Sequence, residues 1–294
     1  MQTLETIRRK IESAKDLHSV VKTMKALAAV NIHAYEKAVH AINFYYQNIE
    51  TGLQVVLKEN SDILNATAAD DSESIGIIVF GAQRGMAGNF NLPVVNKLDS
   101  WLKKEGLHQQ SSLVACVVGD RISEPLKDIG ILPSYNLDFP NFRYHLDGTI
   151  QNILLIIEEW RFQKKVSHIH LFYNRPTSGS SFKPDYFQLY PLNPDWLKEL
   201  AGKPWPSRSV PLYTISAGNL FNMIISQYFY ISLYKAFIES MASENASRLL
   251  AMRKAEKNIE EQLEELDAEY NKQRQDSITE ELLDIVAGFE ALTK

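Results

Sequence analysis

A chain of 294 residues exceeds one average domain and can bury a large core. Its 45% apolar and 23% charged residues are ordinary for a soluble protein, and a net charge of −5 with a pI near 5.9 speaks against a dedicated nucleic-acid binder, which needs a basic surplus. Cys116 is the sole cysteine, which excludes an internal disulfide, a dithiol switch and a Cys-rich zinc site.

The amino terminus, "MQTLETIRRKIESAK", mixes both charge signs and has no apolar signal-peptide core. Glu5, Glu12 and Asp16 come too early for an acid-poor transit peptide. All 11 prolines fall between Pro93 and Pro211, and 12 of the 13 glycines between Gly52 and Gly218. Two arms, Met1 to Thr51 and Asn219 to Ala287, are therefore free of helix breakers, which implies long helices. In the first arm, steps of three and four residues run Leu4, Ile7, Ile11, Ala14, His18, Val21, Lys25, Ala28 and on to Val56. Such a repeat is the signature of a left-handed coiled coil.

The middle section alternates strands and helices. "SIGIIVF", "SLVACVV" and "SHIHLFY" are short, β-rich and bounded by turn residues, as strands buried on both faces are. Between them lie the helical segments "NLPVVNKLDSWLKK", with Asn91 expected as its N-cap, "RISEPLKDIG" and "GTIQNILLIIEEWRFQKK". An extended piece, "FKPDYFQLYPL", leads into a Pro-rich connection. The expected fold is α/β plus a long antiparallel coiled coil. Residues 1–57 form one helix, 74–192 a Rossmann-like domain with a mostly parallel sheet, and 212–294 the second helix.

In the second arm "NLFNMIISQYFYISLYKAFI" is interrupted by Asn222, Ser226, Gln227 and Lys235, so it reads as a buried helix and not a membrane span. Met252, Ala255, Ile259, Leu263, Leu266 and Tyr270 continue the coiled-coil rhythm, with Glu260, Glu261, Glu264 and Glu265 on its solvated face. At 1.5 Å per residue the arms would extend roughly 80 and 105 Å, so the second overhangs the first from about residue 270.

No enzyme constellation emerges. "FGAQRGMAGNFN" follows a strand and opens a helix, yet it lacks both dinucleotide and phosphate-loop patterns and has no lysine at its end. His168 and His170 share a strand face without a third ligand nearby, "SGSS" lacks the nucleophile-elbow pattern, and Glu158–Glu159 reads as a solvated helix face. No cofactor or metal is expected. Positive charge gathers on the first helix at Arg8, Arg9, Lys10, Lys15, Lys22 and Lys25, either as a solvated face or as contact with acidic partners. Near the carboxyl end Leu282, Leu283, Ile285, Val286, Phe289 and Leu292 spread round the helix, and a helix apolar nearly all round needs a sleeve.

The residues resemble the gamma subunits of F-type ATP synthases. "ESMASENASRLLAMRKAEKN" and "YNKQRQDSITEELLDIVAG" carry the resemblance most specifically, with "IRRKIES", "KTMKALAA" and "FGAQRGMAGNFN" in support. The resemblance implies a central rotor shaft that transmits torque between a membrane ring of c subunits and catalytic beta subunits, coupling proton or sodium translocation to ATP synthesis or hydrolysis. Catalysis would belong to the beta subunits. The implied partners are the alpha and beta subunits of the hexamer, the epsilon subunit and the c ring, with no nucleic acid. The implied place is the cytoplasmic face of a bacterial-type inner membrane, peripheral and held only through the complex. Met24 and Lys25 match the position facing the beta subunits' acidic lever loops. Arg274, Gln275 and Thr279 match a polar cluster bonding the beta subunits, and the apolar tip would sit in the subunit sleeve. Gln83 stands where the family usually has an aspartate, and "NIHAYEKA" replaces a basic cluster. The competing readings are a coiled-coil adaptor and, more weakly, an α/β enzyme with a coiled-coil arm.

Overall fold

The computed structural model describes residues 4–59, 74–107, 113–139, 146–177, 181–205, 207–209 and 211–292. Its elements are α1 (Leu4–Glu59), β1 (Ile75–Phe80), α2 (Asn91–Glu105), β2 (Leu113–Val118), a 3-10 turn (Asp120–Ile122) leading into α3 (Ser123–Asp128), β3 (Tyr135–Leu137), α4 (Leu146–Phe162), β4 (His168–Pro176), β5 (Phe182–Tyr190), α5 (Pro194–Gly202) and α6 (Ala217–Leu292). The chain divides into two compact units, 29–248 and the pair 1–28 with 249–294.

The larger unit is built on a five-stranded sheet in the order β3-β2-β1-β4-β5. β1 pairs in parallel with β2 and β4, β2 in parallel with β3, and only β5 runs antiparallel, against β4. Side chains alternate across β1 as the two-residue period demands. Ile77 and Val79 pack against Val94, Leu98 and Leu102 of α2, whereas Ile78 and Phe80 join Ile150, Ile153 and Trp160 of α4 and Leu53, Leu233 and Phe237 of the long helices. Both sheet faces are thus covered, which explains why the strands read as continuous apolar runs. Gly76 is required by this packing, because a Cβ there would lie 2.6 Å from the Trp160 ring.

The smaller unit is an antiparallel helix pair. Ala14 and Val21 of α1 meet Met252 and Ile259 of α6, flanked by Met24, Ala255 and Leu263. Along α1, none of the positions in the three-and-four repeat from Leu4 to Val56 is exposed.

Two local expectations change. Asn91 is the first residue of α2 and not its cap; Phe90 holds the cap position without a side-chain bond. The Asn91 amide instead accepts from Ala82 N at 2.9 Å and donates to Arg121 O at 2.9 Å, tying the turn after β1 to the turn after β2. Between the extended piece and the Pro-rich "GKPWPSRSVP" lies a helix that had no assignment, α5, whose start is marked by Asn193 accepting from Asp195 N at 2.8 Å, with Pro194 in the first turn.

Candidate functional site

The turn after β1 sits where nucleotide-binding sheets place their ligand, at the carboxyl ends of parallel strands beside the β1–β4 reversal. Here its first two donors are already used. Gly81 N donates to Val118 O at 2.8 Å and Ala82 N to Asn91, while Gly119, at φ 101°, packs so closely that a Cβ would lie 2.6 Å from Gly81 O. Two carbonyls along it are taken as well: Asn174 donates to Phe90 O at 2.7 Å, and Ser247 of α6 to Ala87 O at 2.6 Å. Ser243 in turn donates to Asn174 O at 2.9 Å. The glycine-rich turn is a clamp between sheet and α6. Gln83 donates to Asp120 at 2.9 Å and Asp138 at 3.2 Å and accepts from Phe139 N at 2.7 Å. A neutral amide suits a position between two carboxylates, where an aspartate would add a third negative charge.

Sequence reasoning missed the polar lining of α6. Glu239, Ser240, Ser243, Glu244, Asn245 and Ser247 are all buried. Burial pushes the Glu244 carboxyl up, and Arg248, 2.5 Å away, opposes that shift. The spacing in "ESMASENAS" could have signalled a small-residue helix face held tightly against backbone, because serines at i and i+4 lie on one face of the helix.

The other residues weighed for chemistry are spread out. His168 accepts or donates at 2.9 Å to Ser167, and His170, packed on the Trp101 ring, is pushed down to about 4 by burial and by His168 beside it. Glu159 is half-buried and accepts from Tyr135 at 2.5 Å. Cys116 is fully buried in β2, and burial pushes its thiol up to about 12. Residues 178–180 of "SGSS" lie outside the described residues.

In the smaller unit Met24 is half-buried against the coiled-coil seam. Lys25 donates to both carboxylate oxygens of Glu256, at 2.7 Å to Oε1, and this bond holds the Glu256 carboxyl below its usual range. One turn away His18 Nε2 stands 3.3 Å from Glu260 Oε1. Farther along α6 Tyr270, Gln273 and Ser277 are half-buried, while Arg274, Gln275 and every residue from 278 to 289 are exposed. Thr279 Oγ1 donates to Gln275 O at 2.9 Å. At the tip Leu282, Leu283, Ile285, Val286 and Phe289 are 54–70% exposed. Five large apolar side chains are thus exposed on about two helical turns, a contiguous apolar patch and not scattered surface.

A family profile described as ATP synthase matches residues 3–292. The chain belongs to the ATP synthase gamma-chain family. It is 25% identical over 292 residues to the ATP synthase gamma chain of Malacoplasma penetrans, covering 98% of this chain and 99% of that one. To the gamma chain of Nitrosomonas europaea it is 27% identical over 304 residues, covering 99% and 100%. Among solved structures its fold resembles a chain of the Euglena gracilis mitochondrial ATP synthase (OSCP/F1/c-ring) with a TM-score of 0.63 at 18% identity, covering 98% of this chain and 94% of that one. A chain of the Tetrahymena thermophila mitochondrial ATP synthase central stalk and c ring gives 0.56 at 20% identity, over 80% and 99%. As an ATP synthase gamma chain it is a non-catalytic rotor subunit.

Proposed function

We propose that this chain transmits torque as the central shaft between a c-subunit ring and the beta subunits, through the contacts named above. The exposed apolar tip of α6 carries this reading, because such a helix end needs a surrounding apolar sleeve. Arg274, Gln275 and Thr279, just before the tip, would bond the beta subunits, and Met24 and Lys25 would face their acidic loops at a lower level. The turn clamped by Ser247 would make the larger unit a stiff foot on the c ring, beside the epsilon subunit. No described helix is long and apolar enough to cross a membrane, in keeping with attachment through the complex to the cytoplasmic face of a bacterial-type inner membrane.

Co-purification tests the reading. A tagged full chain should bring alpha and beta subunits with it in stoichiometric amount, and by itself should neither hydrolyse ATP nor bind it at micromolar concentration. Recovery of the chain without those subunits would favour the adaptor. ATP turnover by the chain alone would favour the enzyme.

A further inference from the structure

We propose that the coiled coil carries a site for a divalent cation of the zinc class, formed by His18 of α1 with Glu256 and Glu260 of α6. One ligand atom from each of the three lies within 4.8 Å of the other two. Glu256 and Glu260 are four residues apart and leave the same side of α6 one turn apart, while His18 reaches them from the opposing helix. The coiled coil itself creates the juxtaposition, since 242 positions separate His18 from Glu260 along the chain.

The spacing fits the metal. Zinc–nitrogen and zinc–oxygen bonds of about 2.0–2.2 Å set a tetrahedral edge of about 3.3–3.6 Å. His18 Nε2 and Glu260 Oε1, 3.3 Å apart, already stand at that edge. Glu256 needs only torsional adjustment of a flexible side chain to close the third. It can offer one oxygen to the ion and keep Lys25 on the other, the outer-shell bond that holds ligating carboxylates in place. Lys22 acts on Glu256 from solvent, where its charge is screened. Water completes the coordination. An imidazole with two carboxylates is a borderline donor set, so zinc and cobalt are favoured over magnesium and calcium, which take all-oxygen shells. Because the ligands meet only when the helices pair, the bound ion stabilises the pairing.

The test is a titration of the full chain with Co2+, followed by visible absorption, and with Zn2+, followed by calorimetry, both in excess Mg2+. We expect a single site with the visible bands of tetrahedral cobalt. His18→Ala and the nearly isosteric Glu260→Gln should each weaken it by about ten-fold or more, while Glu261→Gln, an exposed neighbour paired with Lys257, should leave it unchanged. Zinc should also raise the midpoint of helix melting in the wild type and not in His18→Ala. Absence of binding would overturn the proposal. So would binding that both variants retain, which would assign the ion elsewhere, for example to His33 beside Glu36.

Discussion

Between Glu239 and Ser247, helix α6 buries six polar side chains; between Leu282 and Phe289 the same helix exposes five large apolar ones. Composition alone would place these two stretches the other way round. In the first, small hydroxyls let α6 lie against the sheet's end loops, and each of Ser243 and Ser247 finds a backbone carbonyl. In the second, the apolar groups are exposed and lie outside the seam cluster that buries Met252 and Ile259. Burial therefore follows the surroundings a segment is given, and the sleeve proposed for the tip would be surroundings of that kind.

The sharpest break of this comparison uses two phenylalanines on one helix. Phe237 is fully buried, edge-on to Phe80 at 4.8 Å and Phe139 at 5.4 Å. Phe237→Ala should cost about 3–5 kcal/mol of stability, read as a lowered melting temperature. Phe289, 70% exposed, should tolerate the same change within about 0.5 kcal/mol in the isolated chain and lose assembly with alpha and beta subunits instead. Equal melting losses would end the distinction.

Acid separates the two units as well. His170 in the larger unit titrates at about 4 when folded, well below an ordinary histidine at 6.5. Below pH 6.5 the unfolded chain takes up a proton that the folded unit refuses, so about 3 kcal/mol is lost as pH falls from 6.5 to 4, with no further loss from this group below that. His170→Phe should flatten that window in a pH series of denaturant melts. Glu256 in the coiled coil behaves differently. Its carboxyl is lowered by Lys25, so its contribution is intact at neutral pH and fades only below the ordinary carboxylate range. A smaller effect is expected at the turn. Gln83→Asp removes the amide between Asp120 and Asp138 and adds a third carboxylate, costing about 1–3 kcal/mol that acidification should partly restore.

The long arms and the parallel strands were legible because both depend on local pattern: missing breakers, a heptad rhythm, and apolar runs between turns. β3, only Tyr135–Leu137, was not, because it is held by pairing with Cys116 to Val118 and has little pattern of its own. Asn91 looked like a cap because its residue type and place fit one. Its true bonds run to Ala82 and Arg121, and the latter is 30 positions away. The buried polar face of α6 and the meeting of His18 with Glu256 and Glu260 likewise exist only once distant segments pack. The exposed tip was legible only by setting its apolar circumference beside the unequal lengths of the two arms, since the circumference alone implies burial.

The smallest expected effect on the isolated chain is also the most discriminating. Arg274 and Gln275 are exposed, and the bond from Thr279 Oγ1 to Gln275 O uses only the Gln275 backbone. The double change Arg274→Ala with Gln275→Ala should therefore leave helix content unchanged and melting within about 0.5 kcal/mol. In an assembled motor the same side chains would meet desolvated partners. The guanidinium offers a planar, permanently charged fork for carboxylates and carbonyls, and the amide both donates and accepts. Hydrogen bonds to charged groups contribute about 1.5–3 kcal/mol each, and truncating one side leaves the other buried without a partner. ATP turnover by the reconstituted complex, measured beside melting of the isolated chain, should fall sharply. A destabilised chain inside a fully active complex would instead give these residues to the fold, and the rotor contact would have to be sought in the apolar tip alone.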